Sequence, residues 1–184
     1  MGLSKREKTR HLIMHTAKQL IEESGGMPVT FGEIAERADI CRTTVFNHFK
    51  CTNDLICGIF MQEMEDLEAH LKDSDLTGLS YVLEMFNQLI EDVSKYPAMS
   101  IKLANNAILY TDYQNPIFTL EKLVEKRLEE DHVMNADRYS TIIVGAYFGL
   151  LNHYKISGKD FVIDEMKQDF SSMMKLILGG YYHE

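Results

Sequence analysis

Arg42, Thr43, Thr44, Asn47 and His48 fall within seven consecutive residues, RTTVFNH. On a helix they leave Val45, Phe46 and Phe49 as the inward set and project outward themselves. These side chains suit the edges of nucleic-acid bases. An asparagine amide pairs two-pronged with adenine, and threonine offers a hydroxyl and a methyl. Arginine and histidine reach guanine or phosphate. Small and polar outward groups also let a helix enter a major groove about 12 Å wide. Other chemical patterns are weaker. His11-x3-His15 puts two imidazoles on one helical face, yet it lacks the glutamate of a zinc-protease helix and an obvious third ligand. No phosphate loop, dinucleotide fingerprint or nucleophile elbow occurs, so no enzyme, cofactor or metal is implied.

A helical chain positions that stretch. Ser4 and Glu7 have capping-box spacing, and a helix follows to about Ser24 with Ile13, Ala17, Leu20 and Ile21 on one face. Gly25-Gly26 ends it. Thr30 and Glu33 open a second helix to about Ala38, with Phe31, Ile34, Ala35 and Ala38 inward. A turn at Asp39-Ile40 leads to a third, 42–48. The fourth starts near Thr52 and passes Leu71, long enough to join two domains. Further helices are expected over 79–95, 97–110, 116–131, 136–156 and 160–178, with Asn115 as an N-cap and 111–115 as a loop. The ninth carries a stripe of Ile163, Met166, Phe170, Met173 and Ile177. The fold class is all-α, about nine helices: a three-helix domain with a helix-turn-helix over 1–51, then a helical bundle over 52–184.

The chain's 184 residues carry a net charge of −9, unevenly spread. Residues 1–56 hold eight Lys or Arg against seven Asp or Glu; the rest hold eleven against twenty-one. The acidity lies behind the polar helix, so the front is not closed to an anionic partner. No apolar run reaches the roughly 20 residues of a membrane span. Cys41, Cys51 and Cys57, an odd number close together, suggest a reduced cytoplasm rather than a disulfide framework.

From about Arg10 to Ile56 the chain resembles, without a gap, the TetR family of transcriptional repressors. The matching frame includes Gly25, Thr30, the Ile34-Ala35 pair, Ala38, Thr44, the His48-Phe49 pair and Leu55. Later helices match in number, length and order. The resemblance implies DNA contacts from Thr30, Thr43, Thr44, Asn47 and His48. Thr30 and His48 would hold phosphates, while Thr44, Asn47 and Arg42 would reach bases. Four positions depart from the pattern: Asp39 replaces the turn glycine, Cys41 the serine cap, Phe46 a phosphate-touching tyrosine and Thr52 a lysine. Lys50 and the basic N-terminal tip would compensate in part.

The eighth helix is apolar nearly all round in its middle, so it should be covered on every side. Gly145-x3-Gly149 lets another helix approach closely. Helices eight and nine, with Phe170 and Met173, would pair across a two-fold axis into a homodimer that reads a palindromic operator. Met61, Met64, Met85 and Met99 lie on helices that enclose a cavity in this family. Phe86, Leu89, Leu103, Phe118 and Tyr147 would add bulk, and Asn105 and Asn106 polar anchors, for a partly apolar small-molecule effector. The function expected is a ligand-released repressor. A thiol-responsive repressor and a small-molecule-binding protein or enzyme with a vestigial helix-turn-helix are the alternatives.

Overall fold

A computed structural model describes residues 2–72, 74–109 and 115–179, with residues 108 and 109 described by backbone alone. The expected loop at 111–114, Tyr110 and Gly180 lie outside the described residues. Among the described residues there are nine helices and no strand. They are α1 (Lys5–Glu23), α2 (Phe31–Arg37), α3 (Arg42–His48), α4 (Thr52–Leu71), α5 (Gly78–Lys95), α6 (Pro97–Leu109), α7 (Pro116–Glu130), α8 (Ala136–Ser157) and α9 (Ile163–Leu178). None is long and apolar enough to cross a membrane.

The starts of α1 and α2 follow local chemistry. The Ser4 hydroxyl accepts from the Glu7 N–H at 3.2 Å, and the Glu7 carboxylate accepts from the Ser4 N–H at 2.7 Å. Thr30 and Glu33 repeat the device, at 3.3 and 2.7 Å. Each pair satisfies two donors that a helix start leaves orphaned. Asp39 adopts φ 52°, the left-handed geometry the α2–α3 turn needs. Asn115 caps α7 by accepting from the Ile117 N–H at 2.8 Å.

One continuous apolar core runs from Ile13 to Leu178. Helices α2 and α3 pack on each other, and α1 packs on α2, α4 and α6. In the bundle, the Phe86 ring lies 5.0 Å from Phe170 and 5.3 Å from Tyr147, centre to centre. This corrects the place expected for Phe170. It is 1% exposed inside its own chain and cannot form an intermolecular surface. The α9 stripe is also rotated: Met166, Phe170, Met174 and Leu178 are buried, at strict i, i+4 steps. Met173 and Ile177 are only half-buried at its edge. Nor does one chain cover α8 on every side. Ile142, Gly145, Gly149 and Ile156 form an exposed strip, with Ile156 85% exposed.

Candidate nucleic-acid interface and ligand cavity

Helix α3 is seven residues long, too short to be stable alone. Two fully buried side chains hold it down, Val45 and Phe49. The Arg10 guanidinium of α1 lies 4.2 Å from the centre of the Phe49 ring and donates to the His48 carbonyl at 3.1 Å. With those residues facing in, Arg42, Thr43 and Asn47 are exposed, and Thr44 and His48 half-exposed, along the opposite face.

Phe46 does not join the inward set as expected; it is 49% exposed. Its position lies about 100° round the helix from Val45, at the rim of the buried arc. There its ring meets Phe31 edge-to-face at 4.9 Å, and the Arg42 guanidinium lies 5.5 Å from the ring centre. Phe46 thus braces the outward arginine. Apolarity alone suggested burial, and the helical angle was the signal against it.

Thr30 is exposed, but its hydroxyl donates to Glu33 at 2.7 Å. Hydrogen bonds from Thr30 hold the Glu33 carboxyl below its ordinary pKa, so a negative charge sits beside the expected phosphate contact. Lys50 is exposed, and its N–H donates to Asp54 at 2.8 Å at the start of α4. Cys41 precedes α3 with no side-chain cap bond, and Cys51 does the same before α4. Both thiols are exposed. Burial, then the charges of Arg6 and Arg10, push the His48 imidazole below the usual histidine range. Arg6 and Arg10 of α1 thus add to the positive charge of Arg42 and Lys50 at this corner.

The bundle contains a narrow cavity of about 30 Å³, lined from five helices. That is room for about one or two waters. Of the residues named for a ligand site, Leu89, Leu103 and Tyr147 line it. Met64, Met85, Phe86 and Met99 are buried core outside the lining. Met61 and Phe118 are 40% and 55% exposed, and Asn105 is exposed; these three do not face the cavity. Asn106 is half-buried and also outside the lining. Flexible bulk suggested a pocket, but helix rotation decides which residues reach one. Phe60, Glu63, Asp92, Ser100 and Phe148 face the cavity without having been anticipated. The two acids read locally as solvated helix faces.

Two cavity walls also grip α1. On α4, Glu63 pairs with Lys18 of α1 at 2.7 Å. At the start of α6, the Ala98 and Met99 N–H groups donate to the Glu22 carboxylate of α1 at 3.3 and 3.0 Å. Lys102 of α6 donates to the carbonyl of Gly26, just past α1, at 2.9 Å. These contacts tie α4 and α6, which line the cavity, to the base of the first three helices.

No known family profile and no curated protein matches the chain. Solved structures do. One similar chain is a Thermus thermophilus FadR, a TetR-family repressor in complex with lauroyl-CoA. It is 18% identical, with TM-score 0.68 over 92% of this chain and 93% of that one. A transcriptional regulator from Rhodococcus sp. Rha1 is 17% identical, with TM-score 0.71 over 93% and 96%. A regulator from Aquifex aeolicus VF5 is 22% identical, with TM-score 0.66 over 92% and 99%. At these identities the likeness establishes the fold, over nearly the whole length of each chain.

Proposed function

With the fold of TetR-family regulators as premise, we propose that this chain is a homodimeric transcriptional repressor, released from DNA by a small molecule in the bundle. Residues 1–51 act as the reading head and 52–184 as the sensing and pairing unit. The observation that carries the reading is α3. Its Val45–Phe49 side is fully buried, while Arg42, Thr43 and Asn47 are exposed on the other. The apolar strip of α8, with Leu176 of α9 84% exposed, supports pairing with a second copy. Two heads about 34–36 Å apart would meet successive major grooves. Ligand in the cavity would shift α4 and α6, and with them α1. A coupling of about 1–3 kcal/mol is typical of such regulation.

Selection of genomic fragments on the protein at fixed salt tests this directly, and a palindromic site is the expected yield. On that site Asn47→Ala should lose about 1–3 kcal/mol of affinity, the worth of one two-pronged base contact, and almost nothing on random DNA. His48→Ala should weaken both alike. Equal loss on both DNAs for Asn47→Ala would count against α3 as the reader. A sequestering protein with a vestigial head would show no salt-dependent DNA affinity at all.

The depressed His48 pKa gives a second expectation. In the free protein His48 is held neutral, so its contribution to stability is full above the unfolded value near 6.5 and is lost as pH falls through the lower folded value. A nearby phosphate offsets the repulsion from Arg6 and Arg10, so the bound pKa is higher than the free one. DNA binding then takes up a proton. Affinity should rise as pH falls through the interval between the two values, measured as Kd against pH. His48→Gln should flatten that rise.

A further inference from the structure

The charged lining of the cavity is wholly acidic: Glu63 of α4 and Asp92 of α5. The rest is apolar or aromatic apart from Ser100 and Tyr147. Ser100 is satisfied, since its hydroxyl donates to the Tyr96 carbonyl at 3.0 Å. Tyr147 is not. It is 6% exposed, lines the cavity, and its hydroxyl has no hydrogen-bond partner among the described residues. A hydroxyl that lines a cavity without a protein partner is one that a bound group would complete. Burial, then the fields of Glu63 and Asp92, push its pKa upward, so the phenol stays neutral beside both carboxylates.

Glu63 has a single ion-pair partner among the described residues, Lys18 at 2.7 Å. The two side chains are 24% and 18% exposed. Lys18 also lies 4.1 Å from the centre of the Tyr96 ring, so the ammonium has a second resting place. Asp92 pairs with Lys95 at 3.2 Å on the open side of α5. Asp66 and Asp92 both add negative field at Glu63, and burial raises its pKa foremost, against the pull of Lys18. An anion entering here meets carboxylates, and the nearest ammonium, that of Lys18, is already engaged. A cation meets a poorly solvated carboxylate, a phenol oxygen able to accept a hydrogen bond, and aromatic rings able to hold its body.

We propose that the effector is an amphipathic organic cation, with its apolar body against Phe60, Leu120 and Phe148 and its ammonium donating to Glu63 and Tyr147 in place of Lys18. This names the ligand class for the ligand-responsive reading above and rests on it. The exchange also gives the signal a physical form. Lys18 belongs to α1, so a ligand that takes Glu63 releases one of the ties between α1 and α4.

Three probes of one shape test it on the full chain without DNA: 4-phenylbutylammonium, 4-phenylbutanol and 4-phenylbutyrate, followed by calorimetry at mildly alkaline pH. The amine should bind about tenfold or more tighter than the alcohol, and the carboxylate weakest. Glu63→Gln should erase the amine's advantage, Asp92→Asn should reduce it, and Lys18→Met should tighten the amine by removing its competitor. Folding of each variant is checked by circular dichroism; should Glu63→Gln fail to fold, Asp92→Asn and Lys18→Met decide. A carboxylate that binds best, an alcohol equal to the amine, or no binding of any probe at millimolar concentration overturns the assignment. Selected DNA binding without cation preference rejects the cation and leaves the regulator. Cation preference without DNA selection upholds the cation and rejects the regulator.

Discussion

Phe49→Ala should lower stability by about 3–5 kcal/mol, the range for deleting a buried aromatic ring. Phe49 is 0% exposed and closes α3 against two neighbours. Arg10 of α1 covers one side of its ring. On another side, a β-carbon added at Gly58 of α4 would lie 2.9 Å from Phe49 Cε1, so the α4 backbone sits directly against the ring. Removing the ring leaves a hole that neither the guanidinium nor a glycine can fill. Denaturant unfolding measures the loss, and DNA affinity should fall with it because α3 has only Val45 as its other fully buried anchor. A loss under about 1 kcal/mol would mean that the site collapses around the smaller side chain.

Gly78→Ala should cost about 2–4 kcal/mol, from two causes that reinforce each other. Gly78 has φ 49°, where an L residue is strained by about 1–2 kcal/mol. Its added β-carbon would also overlap the Asp131 carboxylate. That carboxylate caps the start of α5 by accepting from the Leu79 N–H at 2.8 Å. An alanine would therefore displace the cap as it introduces the strain. Thermal unfolding should show Tm falling, and Asp131→Gly in the same chain should relieve the clash but not the strain. The two substitutions must then be non-additive; simple additivity would place the whole effect in the backbone.

These two sites differ in how far the sequence foretells them. Phe49 is readable: it follows Val45 by four residues, and that step defines the buried side of α3. The capping boxes at Ser4 and Thr30 are readable for the same reason, since donor and acceptor lie three residues apart. So is Asp39, whose side chain tolerates the left-handed turn. Asp131 is not readable. It lies 52 residues beyond Leu79, within a run of charges indistinguishable from a solvated helix face. Glu22 at the start of α6, and Glu63 and Asp92 at the cavity, are hidden likewise, because their partners lie on other helices. Phe46 and Phe170 err in opposite directions. A hydrophobic residue at the edge of a buried arc came out exposed, and one expected to meet a second chain came out packed within its own. Both depend on rotating a helix by a fraction of a turn, a quantity that composition does not encode. The cavity failed to follow the methionines for that reason too.

For the ligand-released repressor proposed above, the smallness of the cavity has a consequence. At about 30 Å³ it must widen before a drug-sized molecule can enter. Apparent affinity is then the intrinsic affinity reduced by the fraction of molecules already widened. The free energy that holds the lining closed is the same free energy that a ligand has to overcome. Truncating a lining residue such as Phe148 would make the chain easier to melt and, at once, easier to trigger. Heat tolerance and sensitivity therefore act on the same few side chains in opposite directions. The dose at which such a repressor would respond is set as much by the tightness of its own interior as by any contact the ligand makes.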